Sequence, residues 1–297
     1  MHTKSRVTHF FIGCSLAAVL FSCSASNSFY HKDLELLGNN SAEILGGTDA
    51  DVSFAQQNGI VGIYNTSTSS LCTGSLIAKN LVLSAAHCVD AATVKNTIIF
   101  FGISLADVAQ QFHQGDTSNM RHVLNAVVHE GFGASKINPA VSNNDISIFL
   151  FEGEAPAGFI PARVAPLRLL PVLQSNAEAT LAGFGVSEYK SDPTTHQPLI
   201  HTGAGILRSV GNIKILSVMS TGEEIIFDQF AGKGACHGDS GGPAYYDETA
   251  TNTRWLIGVT SRDRQGQCQG ENVFTGVLGY ENWIETTANK LNNRGVL

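Results

Sequence analysis

An all-β fold is predicted for this chain, and three observations predict it. Only 14% of the 297 residues are charged and 43% are hydrophobic, with 30 glycines, a balance that suits many strands joined by turns better than long charged helices. The apolar segments are short and broken by Asn, Thr, Ser and Gly, the punctuation of hairpins. The length allows one large all-β domain or two small ones, with room for a sizeable core. Charge narrows the function classes. The net charge is −7, and because residues 1–43 carry three basic and three acidic side chains, the whole excess lies in residues 44–297. A nucleic-acid-binding surface is therefore not suggested.

Residues 1–25 begin with Lys4 and Arg6, continue through an apolar run at 10–21 and end in small residues, the pattern of a secretory signal peptide. The run is shorter than the ~20 residues that span a bilayer. Two processing routes compete at its end. Leu20-Phe21-Ser22-Cys23 is similar to a bacterial lipoprotein site, which would leave Cys23 as a lipidated first residue and the membrane attachment of the chain; ordinary cleavage would fall near Ala25. Both routes place the protein outside the cytoplasm, secreted or in the cell envelope, and the first would anchor it in the periplasm or outer membrane. Residues 26–43 are polar and read as a linker or propeptide. Beyond the leader, Cys72, Cys88, Cys236 and Cys268 suggest two disulfides in an exported chain, and spacing alone does not give their pairing.

The body opens on Ile44-Leu45-Gly46-Gly47, an apolar strand start. Residues 60–64 and 71–84 read as hairpin strands, closing in Leu81-Val82-Leu83-Ser84-Ala85-Ala86-His87-Cys88. Strand-like runs follow at 97–101 and 122–128. Asn143-Asn144-Asp145 then puts one carboxylate at the mouth of an alternating strand, 146–151, although Asn-Asn-Asp is also turn chemistry. Residues 161–171 look like a link between two β halves, and Ala182-Gly183-Phe184-Gly185 follows them.

The densest stretch is Gly232-Lys233-Gly234-Ala235-Cys236-His237-Gly238-Asp239-Ser240-Gly241-Gly242-Pro243. A serine hydroxyl is a poor nucleophile until a base takes its proton, and the oxyanion it creates needs donors already aimed at it. With no side chain at Gly238, its N–H and that of Ser240 can turn into one hole. A strand at 255–261 comes next, and Trp283, Ile284 and Leu291 at helical spacing predict a closing helix over 280–291.

Together these stretches resemble the chymotrypsin/trypsin-like serine proteases over about residues 44–292, as a bacterial-type member with two disulfides. The resemblance implies two six-stranded antiparallel β-barrels, about 44–160 and about 170–279, then the helix, within a protease domain of 44–297. His87, Asp145 and Ser240 fall in the family's chain order. Ser240 would attack a peptide carbonyl, His87 would take and return the proton, and Asp145 would fix the imidazole tautomer. No metal and no organic cofactor are implied, and the partners are protein or peptide substrates of a monomer. The implied bridges are Cys72–Cys88 and Cys236–Cys268, which leaves Cys23 over and favours its lipidation. Ile44 would be the mature N-terminus, its freed α-ammonium reaching Asp239, although Glu43 stands where an activating protease usually finds a basic residue. Two alternatives to peptide hydrolysis are a non-catalytic binding protein on the same fold and a serine esterase.

For specificity, the resemblance places Gly234, Ala235, His237, Ser261, Arg262, Asp263 and Asn272 at the substrate groove. Gly234 stands where trypsin-like members carry the Asp that pairs with Lys or Arg of the substrate. Basic specificity would then need Asp263, or Glu271 or Asn272 on the facing segment, and Arg262 could neutralise Asp263. An uncharged substrate side chain is the expectation.

Overall fold

A computed structural model of the chain describes residues 44–134, 142–174, 177–192, 198–264 and 268–294. The expected signal peptide and linker or propeptide, with Glu43 and the lipidation candidate Cys23, lie outside the described residues.

The chain enters as β1 (Thr48–Asp49) and one short helix, α1 (Val52–Asn58). Asp51 caps that helix by accepting the Phe54 N–H at 2.7 Å, and Gly59, at φ +63°, turns the chain out of it. Six strands then close the first barrel: β2 (Ile60–Asn65), β3 (Ser70–Ala78), β4 (Leu81–Ser84), β5 (Thr97–Phe100), β6 (Met120–Val128) and β7 (Ser147–Phe151). Their order around the ring is β2-β3-β4-β7-β6-β5, with β5 pairing back onto β2. Side chains of a strand alternate faces, and here both faces are buried. Val82, Phe149 and Phe151 join one apolar cluster, while Leu81, Leu83, Ile148 and Leu150 join the larger cluster shared with the second barrel.

The second barrel is built from β8 (Glu178–Gly183), β11 (Arg208–Val218), β12 (Glu224–Gln229), β13 (Pro243–Glu248), β14 (Thr253–Asp263) and β15 (Gly270–Gly276). It closes because β8 pairs with both β13 and β11. The hairpin β9 (Glu188–Ser191) and β10 (Pro198–Thr202) stands apart from it, and β1 adds to the edge of β11. The two barrels expected from the sequence are thus present, with the helix expected at the C-terminus (Glu281–Arg294), which buries Ile284, Thr287 and Leu291.

Between β5 and β6 the chain forms a helix that the strand-like reading of this region did not anticipate, α2 (Leu105–His113). Ser104 caps it by accepting the Asp107 N–H at 3.2 Å, and Asp107 favours the first turn by its charge. The approach to α2 is tied to the second barrel. Leu105 N donates to Gly205 O at 2.8 Å and Leu207 N donates to Ile103 O at 2.8 Å.

Candidate active site

β4 delivers His87. Its last residue, Ser84, runs into a single 3₁₀ turn, Ala86–Cys88, and the Cys72–Cys88 disulfide fixes that turn to β3. Asp145 precedes β7, the strand paired with β4 through Ser84 and Ser147. The aspartate is 2% exposed, and its carboxylate accepts three hydrogen bonds: from His87 N at 3.0 Å, His87 Nδ1 at 2.8 Å and Ser261 Oγ at 2.7 Å. Burial pushes this carboxyl up, but the hydrogen bonds and charge of His87, with the Ser261 hydroxyl, outweigh it and hold the group below the usual aspartate value. Thr275 Oγ1 donates to Asp145 O, and Tyr280 OH donates to Asn144 Oδ1, so second-barrel strand and C-terminal turn both hold the loop.

Ser240 comes from the loop between β12 and β13. Gly241 brings that loop against the first barrel, where an added Cβ would lie 1.9 Å from Ser84 Oγ and 3.0 Å from Ala85 N. Thr73 N donates to Ser240 O at 2.8 Å. Among the described residues the hydrogen bonds of the His87 main-chain N–H and Nδ1 go to Asp145, and none joins its ring to the Ser240 hydroxyl. Gly238 has φ +94°, and a Cβ there would come within 2.9 Å of Gly185 Cα. Among the described residues, neither the Gly238 nor the Ser240 N–H is spent on an internal hydrogen bond.

Asp239 points away from the serine into the second barrel. It is fully buried, accepting Gly185 N and Cys236 N at 2.8 Å each. Burial pushes its carboxyl up to about 7 against the pull of those two amides and the Arg208 charge. Among the described residues no cation lies within ion-pair distance of it. Gly183 and Gly185 are required beside it, since a Cβ would fall 2.2 Å and 2.4 Å from carboxylate atoms. Ile44 is 1% exposed, with Leu45 bridged to Gly234.

A cavity of about 170 Å³ opens beside Ser240, lined in part by Ala235, His237, Ser261, Arg262, Asp263 and Asn272, with the Cys236–Cys268 disulfide in its wall. Gly234 lies behind Ala235. Arg262 Nη2 pairs with Glu224 at 2.9 Å, while Asp263 Oδ2 accepts the Cys268 N–H. Glu271 pairs with Arg264. His237 packs against His201 and Tyr189, ring centroids 5.3 Å and 5.0 Å away, and burial with the nearby His201 charge holds its imidazole below the usual value against the pull of Asp263.

Sequence reasoning missed two residues. Thr73 Oγ1 donates to Gly238 O and accepts the Phe184 N–H, each at 3.0 Å, which binds the serine loop to both barrels. Gln229 clasps Ala235 from behind. The only local signal for Thr73 is its place beside Cys72.

Two closed antiparallel barrels that meet at an imidazole held by a buried carboxylate and at a glycine-flanked serine are the architecture of the chymotrypsin-like serine endopeptidases. The chain belongs to the trypsin family, whose sequence profile matches residues 46–284. It is 28% identical over 221 residues to a chymotrypsin of Phaedon cochleariae, covering 74% of this chain and 72% of that one. It is 29% identical over 267 residues to fibrinolytic enzyme, isozyme C, of Lumbricus rubellus, covering 81% and 98%, and 26% identical over 218 residues to brachyurin of Leptuca pugilator, covering 72% and 86%. These relatives are animal proteins, so they lend nothing to the expectation of a bacterial-type member.

Proposed function

We propose that this secreted serine endopeptidase cuts peptide bonds through Ser240, His87 and Asp145, by way of an acyl-enzyme. The observation that carries the reading is the buried Asp145 carboxylate, which holds His87 by both its main-chain N–H and Nδ1. Held so, Nδ1 carries the proton and Nε2 is left as the base that takes the Ser240 proton and returns it to the leaving amine. The uncommitted Gly238 and Ser240 N–H groups receive the oxyanion. Cleavage before Ile44 frees an α-ammonium for the buried Asp239, and this pairing completes the loop that carries those donors. The two disulfides suit an extracytoplasmic protein.

The test is covalent labelling by a fluorophosphonate. Label is expected on Ser240 of the chain beginning at Ile44. Ser240→Ala is expected to take no label and to lose on the order of 10⁶ in kcat while keeping its fold. Peptide turnover by purified Ser240→Ala would defeat the assignment, and ester turnover without peptide turnover would make the protein an esterase.

A further inference from the structure

Two imidazoles stand together at the lip of the cavity beside Ser240. His237, in the loop that carries the serine, and His201, on β10, have ring centroids 5.3 Å apart and planes inclined at 68°. Both are exposed to solvent, and His237 lines the cavity. One dipeptide fixes where both side chains start. Val186 N donates to His237 O at 2.8 Å, and the next residue, Ser187, donates its N–H to Thr202 O, beside His201, at 3.0 Å. Tyr189 lies directly across the hairpin from His201 and packs against both rings, 5.0 Å from His237 and 6.3 Å from His201 between centroids. The proposed hydrolysis uses neither ring.

We infer that His201 and His237 together bind a divalent transition-metal ion such as zinc, and that the bound ion obstructs the mouth of the cavity and inhibits the enzyme reversibly. Distance agrees. With metal–nitrogen bonds of about 2.0–2.1 Å, two imidazoles on one tetrahedral ion have ring centres roughly 5 Å apart, so turning the side chains suffices and the backbone segments need not approach. The donor set selects the metal. Cys236 and Cys268 lie beside His237 but are joined in a disulfide and give no thiolate, and imidazole nitrogen suits zinc, nickel or copper rather than magnesium or calcium. Water takes the remaining positions on the ion. Charge agrees also, since the carboxylate of Asp263 lies within electrostatic reach of His237 and attracts a cation to that side. Inhibition follows from place. His237 immediately precedes Gly238, the proposed oxyanion donor, so an ion held there with its waters stands in the path of a peptide approaching Ser240. The inhibition rests on the assignment of Ser240 as nucleophile; the binding does not.

The experiment uses the untagged chain beginning at Ile44. As Ser240→Ala, which cannot digest itself, it is expected to bind Zn²⁺ at sub-millimolar concentration in calorimetry. Adding His201→Gln or His237→Gln to that protein should weaken binding at least about tenfold. In the active protein, Zn²⁺ should slow peptide turnover and a chelator should restore it, while Mg²⁺ has no such effect. His201→Gln, read against its own metal-free rate, should need at least about tenfold more Zn²⁺ for half inhibition. Failure of Zn²⁺ to bind, or inhibition undiminished in His201→Gln, would overturn the inference, the latter by placing the ion on other side chains such as His87. Equal inhibition by Mg²⁺ would overturn it too, and binding without inhibition would overturn the obstruction of the cavity. Absence of fluorophosphonate label on metal-free wild-type Ser240 is a different failure, since it removes the nucleophile while calorimetry still reads the metal site.

Discussion

Thr73 commits all its polar atoms to the neighbourhood of the serine loop. Its N–H goes to Ser240 O, its carbonyl accepts Ser84 Oγ, and its hydroxyl joins Phe184 N to Gly238 O. Thr73→Val keeps the shape and leaves one buried donor and one carbonyl without that partner, at a cost of about 1–3 kcal/mol. The same loss loosens Gly238, so kcat is expected to fall roughly tenfold with a smaller change in KM, read by steady-state kinetics alongside urea unfolding. An unchanged kcat in a destabilised protein would confine Thr73 to a structural part. His87, Asp145 and Ser240 were legible in the sequence because each carries its local neighbours: Ala-Ala before His87, Asn-Asn before Asp145, Gly-Asp before Ser240. Thr73 was not, because its partner at Gly238 lies 165 residues away and no local pattern encodes it. Gln229 is hidden for another reason. Its amide answers a backbone that reaches it only once Gly234, at φ +143°, has turned.

Short apolar strands bounded by turn residues were readable, and so was the C-terminal helix. Helix α2 was passed over because it interrupts a run of strands, although Ser104 and Asp107 stand at the spacing of a cap and first turn. The group most open to experiment is the buried carboxyl of Asp239, the proposed partner of Ile44. In the uncleaved chain the carboxyl sits at about 7, whereas in an unfolded chain aspartate titrates near ~3.9, so the folded protein holds this proton more tightly. Its contribution is fully present below about pH 4 and is lost as pH rises through about 7, a difference worth roughly 4 kcal/mol. Urea unfolding of the uncleaved protein is therefore expected to weaken over that window, and Asp239→Asn to flatten the dependence. Under the proposed cleavage before Ile44, an α-ammonium beside Asp239 would favour the ionised carboxylate, and the window should close. Identical slopes for the wild type and Asp239→Asn would remove Asp239 from the account.

The whole molecule is held at the seam between its barrels. Phe100 of the first barrel and Phe184 beyond β8 meet edge to face with centroids 4.8 Å apart, and Phe100 lies so close over Gly62 that a Cβ there would be 1.9 Å from its ring. On the far side, Tyr245 OH of β13 donates to Asn58 O at the end of α1. One apolar cluster runs through both barrels, so they should unfold as one unit. Phe184→Ala is expected to cost about 3–5 kcal/mol, with a single transition retained in calorimetry. Two separate transitions would mean that the seam is not the common core.

The ladder that ties residues 103–105 to 205–207 bears on survival in concentrated solution, where each molecule is surrounded by others able to digest it. A backbone must be drawn out with its amides free before it can lie in a cleft and be cut. Leu105 and Leu207 have already spent theirs on one another's neighbours, and Ser104 bridges Ile206. This stretch therefore has to come loose before another protease molecule can cut it, and its resistance to cleavage follows how seldom it opens.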